Sequence, residues 1–230
     1  MTVEFHGSSV ANCPKYNGNA KYETTKIENK NDDKNYTVIT IGLDSNNRKT
    51  SETRSIYKNG NLAKEGTDFD NDGKPDCLDS WEYDDNGNIT AWFQDFNADG
   101  QNDRVSRYLY DINNNLLQYG VDEDMDRLAD NMTYLEYDEK GNNTKYSVDL
   151  DNNGICDKST KREYDENNHE INRLIDNEGD GIYDEEYKYY YETGDIKTAT
   201  DATFYYKDGT TGGYIAIYDN EGNLVSKTMK

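Results

Sequence analysis

Four oxygen ligands at fixed spacing can wrap a hard cation, and this chain presents such a set five times. Asp68-x-Asp70-x-Asp72-Gly73-x-x-Asp76 recurs 27 positions later as Asp95-x-Asn97-x-Asp99-Gly100-x-x-Asp103, and the pattern returns from Asp122, Asp149 and Asp176. Donors at positions 1, 3, 5 and 9, with a residue at 6 that permits a sharp turn, are what Ca²⁺ requires of one short segment. The implied cofactor is Ca²⁺, at up to five loops spanning 68–79, 95–106, 122–133, 149–160 and 176–187.

The five loops differ in their ligands. Loop one carries Asp68, Asp70, Asp72 and Asp76, with Asp79 at position 12, where a helix-loop-helix site places a bidentate acid. Loop two has Asp95, Asn97, Asp99 and Asp103; loop four has Asp149, Asp151, Asn153 and Asp157; loop five has Asp176, Glu178, Asp180 and Asp184. Loop three offers Asp122, Asp124, Asp126 and Asp130, but Arg127 stands where the glycine belongs, so it is expected to bind most weakly. Position 12 is Ser106, Thr133, Thr160 or Tyr187 in the later loops, and no helical pattern flanks any of them. That combination suits the affinity of extracellular modules, ~10⁻⁴–10⁻³ M. Asp, Asn and Gly also build ordinary polar turns, but turns do not require acids at four fixed positions in five copies.

The elements that must hold these loops are strands. Between the loops runs Tyr83-Asp84-x-x-Gly87-Asn88, repeated from Tyr110, Tyr137, Tyr164, Tyr191 and Tyr218, with a copy one residue shorter at Tyr57-Lys58-Asn59-Gly60-Asn61. Asp bonds its own turn backbone and Gly supplies the left-handed residue, which Asn114 and Asn168 replace where Gly is missing. Segments such as 104–110 and 116–121 are too short for ordinary helices, and such segments are rich in Tyr, Val, Ile and Thr, so each repeat is predicted to be a two-stranded hairpin. The expected fold is all-β, a repetitive antiparallel hairpin meander with its calcium loops at one end, either an open sheet or solenoid-like.

Period-2 spacing places Trp81 and Tyr83, Tyr108 and Tyr110, Leu135 and Tyr137, and Tyr189 and Tyr191 on one face, with Ser80, Glu82, Lys161 and Glu163 on the solvated one. Stacked repeats would run those rings into a ladder and build a core that one repeat cannot build alone. Residues 1–53 fit the period badly and are expected to be an atypical capping segment, with a strand at 36–43 and a decayed acid loop at Asp44-Ser-Asn46-Asn47. The repeat array is 54–230, and Asp201 to Gly213 takes the place of a sixth acid loop without its ligands.

Composition narrows the function classes. Leu, Ile, Val and Phe total 36 of 230 residues and the net charge is −22, values that would predict disorder without a counter-charge. Bound Ca²⁺ would supply it and couple metal binding to folding. So acidic a chain is a poor partner for nucleic acid or anionic membrane, and no apolar run is long enough for a membrane helix. No signal-peptide core opens the sequence. Three cysteines, Cys13, Cys77 and Cys156, cannot all pair internally. Six strands would hold Cys77 and Cys156 about 29 Å apart, beyond disulfide reach, so isolated thiols are expected.

The Tyr-Asp-x-x-Gly-Asn element resembles the YD repeats of RHS-type bacterial surface and toxin proteins. The Asp-x-Asp-x-Asp-Gly-x-x-Asp loop is similar to the calcium loops of thrombospondin type 3 and FG-GAP-like repeats. The likeness covers residues 54 to 200, with a period of 27 that differs from the shorter YD and longer FG-GAP repeats. It implies an extracellular or secreted bacterial β-repeat whose loops hold Ca²⁺, and no enzymatic activity.

The residues themselves do not point to catalysis. Only His6 and His169 are present, and no Ser or Cys lies in a recognisable nucleophile motif. The expected function is a calcium-binding structural, adhesive or ligand-binding module outside the cell or on its surface, with a protein or glycan as partner. One alternative is a carbohydrate-binding or glycan-active domain using Trp92, Tyr119 and Tyr146, which share one repeat column. Another is an acidic intracellular interaction or inhibitor protein that ignores Ca²⁺.

Overall fold

Short segments rich in Tyr, Thr and β-branched residues, closed at both ends by Asp, Asn and Gly, leave the backbone little choice but strands and tight connections. The structure, a computed structural model, describes residues 21–28, 34–191, 201–218 and 223–230. They contain sixteen strands and no helix. The chain divides into two units, residues 1–108 with 121–128 and residues 109–120 with 129–230.

The first unit holds β1 (Lys21–Glu28), β2 (Tyr36–Leu43), β3 (Lys49–Lys58), β4 (Asn61–Asp68), β5 (Cys77–Tyr83), β6 (Ile89–Asp95) and most of β7 (Arg104–Tyr110). β8 (Leu116–Asp122) is divided between the units. The second unit holds β9 (Asn131–Tyr137), β10 (Asn143–Asp149), β11 (Lys158–Tyr164), β12 (Glu170–Asp176), β13 (Glu185–Tyr190), β14 (Asp201–Tyr206), β15 (Thr211–Tyr218) and β16 (Leu224–Met229). Neighbours within each unit follow chain order, so each is an open antiparallel meander and neither closes into a barrel. The segment expected to cap the array joins this pattern directly, because β2 pairs with both β1 and β3.

The hairpin turns are built by one aspartate. Asp84 Oδ1 accepts the N–H groups of Asn86 and Asn88, each at 2.9 Å, and Oδ2 accepts the Asn88 amide at 2.9 Å. The backbone closes the turn from Gly87 N to Asp84 O at 3.1 Å, with Gly87 at φ +87°. Asp111 and Asp138 repeat every one of these side-chain bonds. Asp165 does the same with His169 in place of the asparagine, its Nδ1 3.0 Å from Asp165 Oδ2. The 59–60 connection is a two-residue turn with positive φ at both Asn59 and Gly60, the twist that suits a short hairpin.

Asp44 corrects one expectation. It forms no acid loop: its Oδ1 accepts Asn46 N and Arg48 N at 2.8 Å each, and Asn47 sits at φ 60°. This is the same hairpin turn, hidden because Leu43 replaces the tyrosine and Arg48 the asparagine. The turns expected after Tyr191 and Tyr218, together with His6 and Cys13, lie outside the described residues.

The two-faced pattern holds near the turns, where exposed Glu82, Leu109, Glu136 and Tyr190 each alternate with half-buried neighbours. Ser80 departs from it and is half-buried. The tyrosine ladder is not a sealed core. Its rings are half-buried, and the buried apolar side chains are mostly small, such as Ala91, Val105 and Val121 in the first unit and Ala202 and Ala216 in the second. Ring stacking is local: Tyr36 on Tyr57 at 4.6 Å, and His169 on Tyr191 at 4.7 Å. Isolated thiols are overturned at Cys77, which opens β5 in a buried position and is disulfide-bonded. The strand count spoke only against the Cys77–Cys156 pair, and Cys156 is a free thiol.

Candidate metal loops

Each acid loop starts on the last residue of a strand, and that residue is an aspartate turned inward. Asp68 ends β4, Asp95 β6, Asp149 β10 and Asp176 β12, and they are exposed by only 7, 4, 1 and 4%. Asp149 is the largest side chain that is fully buried among the described residues. A carboxylate is costly to bury unless its oxygens are bonded and its charge is met. Backbone N–H groups do the bonding. Asp68 takes Asn71 N at 2.6 Å and Gly73 N at 3.0 Å, and Asp149 takes Asn153 N at 3.1 Å and Gly154 N at 2.8 Å. Asp95 and Asp176 are bonded in the same way.

Position 9 straps the loop shut. Asp76 Oδ2 accepts Phe69 N at 2.6 Å while its own N–H reaches Thr67 O at 2.7 Å. Asp103, Asp157 and Asp184 repeat both contacts. Positions 4 and 6 have positive φ in every loop: Asn71 and Gly73, Ala98 and Gly100, Met125 and Arg127, Asn152 and Gly154, Gly179 and Gly181. The glycine at 6 was legible in the sequence. Position 4 was not, since Asn, Ala, Met and Gly share no chemistry that marks it.

The structure brings together Asp68, Asp70 and Asp76 in the first unit, and Asp149, Asp151 and Asp157 in the second, with one carboxylate oxygen of each residue within 4.8 Å of those of the other two. Oxygens 2.3–2.6 Å from a common Ca²⁺ are separated by at most ~5 Å, so the spacing fits that ion and its all-oxygen donor set. Asp72 turns one oxygen to Lys74 N at 2.8 Å. In loop two the position-3 donor is the Asn97 amide, whose Oδ1 accepts Asp99 N at 2.9 Å.

Asp79 is placed elsewhere. It lies on β5, accepts the Trp92 indole N–H at 2.9 Å, and burial holds its carboxyl above the usual range against that bond. Of the other position-12 residues, Ser106 and Thr133 are buried in their strands. Of loop three, Asp122 and Asp124 lie in the first unit and Asp130 belongs to the second. Within residues 121–128, Arg127 accepts φ 79° and donates its N–H to Asp122 Oδ2 at 3.0 Å, keeping the frame of the other loops. Asp122 Oδ1, however, is buried with no hydrogen-bond partner. An orphaned carboxylate oxygen suits a cation ligand better than a self-sufficient turn.

Loop five does not gather its acids in this way. Glu178 and Asp184 instead face Lys207, whose Nζ lies 3.0 and 2.9 Å from them. The proposed aromatic column is also engaged internally, since the indole of Trp92 bonds Asp79 and stacks on Trp81, and the Tyr146 hydroxyl engages Tyr119 and Thr133. His169 is absorbed into its turn.

No family model matches the sequence, and no curated protein matches it. Among solved structures the chain is similar to the Photorhabdus luminescens Tc holotoxin pore carrying the TccC3-D651A mutation, at 14% identity and TM-score 0.43, covering 85% of this chain and 12% of that one. It is similar to TcdB2-TccC3 at 13% identity and TM-score 0.38, covering 84% of this chain and 14% of that one. A porin-like protein from Bacteroides uniformis is similar at 11% identity and TM-score 0.37, over 90% of this chain and 92% of that one. The chain thus spans about an eighth of the Tc chains it resembles.

Proposed function

We propose that the chain is a calcium-binding extracellular β-repeat protein, a structural, adhesive or ligand-binding module whose fold depends on Ca²⁺ in its acid loops. The observation that carries this is Asp149: the most deeply buried large side chain is a carboxylate, grouped with Asp151 and Asp157 at cation-ligand spacing. Hydrogen bonds from Asn153 N and Gly154 N orient it, and a divalent ion would neutralise the cluster. Bound Ca²⁺ would also offset a net charge of −22 in units that have little buried apolar area.

Location follows from affinity. Strand-flanked loops without a position-12 acid suit the ~10⁻⁴–10⁻³ M range, filled at extracellular calcium and empty in cytosol. The disulfide at Cys77 supports an oxidising compartment. The partner is a protein or a glycan. Nucleic acid, membrane insertion and catalysis are not part of the proposed function.

The test is thermal unfolding in excess Ca²⁺ and in chelator. At a calcium concentration ten times Kd, each filled loop adds about 1.4 kcal/mol, or roughly 3–6 °C for a chain of this size. The melting temperature should therefore drop steeply on chelation and recover when Ca²⁺ is restored. Identical melts in the two conditions would sink the proposal.

A further inference from the structure

In loop five three carboxylates, all at ligand positions, face a single side chain of opposite charge. Lys207 Nζ lies 2.9 Å from Asp184 Oδ1, 3.0 Å from Glu178 Oε2 and 3.7 Å from Asp180 Oδ2. Its backbone fixes the reach, because Lys207 N donates to Asp184 O at 2.6 Å where β14 pairs with β13. An ammonium has three donors on one centre, and here it meets acids from positions 3, 5 and 9 of the loop, the set that would otherwise surround a cation. Like loop two, whose position-3 donor is an amide, loop five is absent from the groups whose acids converge on one another.

We infer that Lys207 is the resident counter-ion of loop five, so that this loop takes no Ca²⁺ and the chain binds fewer ions than it has acid loops. The inference rests on the calcium assignment of the other loops for its stoichiometry, though not for the lysine's own role. Lys207 stands 31 residues after Asp176, at position 5 of the frame that a sixth acid loop would occupy. The last acid loop has no sixth loop beside it, and a lysine on the turn after β14 supplies charge there instead. Lys207 and Glu178 remain partly open to solvent, at 43 and 67% side-chain exposure, so the pairing is strongest where Asp184, at 13%, is shielded.

Two measurements on the full chain decide the matter. Calorimetric titration with Ca²⁺ should give one more ion per chain for Lys207→Met than for the wild type, and an unchanged number for Glu178→Gln. An unchanged count in Lys207→Met, or a lost ion in Glu178→Gln, overturns the inference, and the second arm stands even if the lysine variant folds poorly. In chelator, the losses of melting temperature from Lys207→Met and Glu178→Gln should be non-additive in the double variant. Strict additivity overturns the inference. A wild type that binds no Ca²⁺ at all defeats the calcium assignment, while the metal-free double-variant result still decides the role of Lys207.

Discussion

The hydroxyl of Tyr164 donates to the backbone carbonyl of Asn143, 2.9 Å away and 21 residues earlier, so the tyrosine that opens one hairpin turn is tied to the chain leaving the previous one. Tyr83 makes the same bond to Leu62 O at 2.8 Å, and Tyr191 to Glu170 O at 2.7 Å. This contact explains why the repeats keep tyrosine at a position where phenylalanine would pack as well.

Tyr164→Phe keeps the ring and removes only the hydrogen bond to Asn143 O. The expected cost is about 1 kcal/mol, a fall in melting temperature of roughly 2–4 °C, measured by scanning calorimetry in excess Ca²⁺. An unchanged melt would mean that the hydroxyl contributes nothing to joining the repeats. Burial raises the phenol of Tyr191 to about 12, so alkaline titration should leave this tyrosine protonated after exposed ones have ionised.

The turn aspartates make stability depend on acid. Hydrogen bonds from Asn88, Asn115 and Asn142 hold the carboxyls of Asp84, Asp111 and Asp138 below their ordinary range, and the His169 backbone N–H does so for Asp165. A folded value below the unfolded one, about 3.9, gives stability that is fully present above that pH and lost as pH falls through the folded values. Urea midpoints should therefore hold steady above about pH 5 and decline below about pH 4. Asp138→Ala should lower the midpoint at neutral pH and flatten the acid decline. An acid decline as steep as the wild type's would remove Asp138 from the cause.

Arg127 occupies a left-handed backbone position, φ 79°, where four other loops have glycine. A side chain there costs about 1 kcal/mol or more in strain. Arg127→Gly should raise stability by about that amount. Reduced stability in metal-free solution would show that the arginine side chain contributes more than its backbone costs.

The hairpins and acid loops were legible because both motifs recur, and because Asp and Gly have only a few backbone uses. What escaped depended on pairing rather than on motif. Asp79 looks like a twelfth-position ligand in the sequence, yet strand geometry turns it to Trp92 across the β5–β6 pair. Lys207 reads as part of a loop without ligands, and meets Glu178, 29 residues away, only because β13 and β14 align. Asp44 was misassigned because its turn lacks the tyrosine, although the asparagine at position 47 kept the left-handed signal. The core was misjudged for a different reason. Periodicity gives the face a ring lies on, and says nothing of whether a second layer covers it.

Asp149 offers the sharpest separation between a polar turn and a metal loop. Asp149→Asn preserves shape, but one carboxylate oxygen becomes an NH₂ group that must point at Asn153 N or Gly154 N, both of which are donors. In metal-free solution a buried donor facing a donor should cost about 2 kcal/mol. In excess Ca²⁺ the loss should be larger, because the wild type also gains about 1.4 kcal/mol from the filled loop at ten times Kd and the variant does not. Unfolding of both proteins with and without Ca²⁺ measures the difference directly. A penalty equal in the two conditions would leave Asp149 as a turn-forming residue with no part in binding the ion.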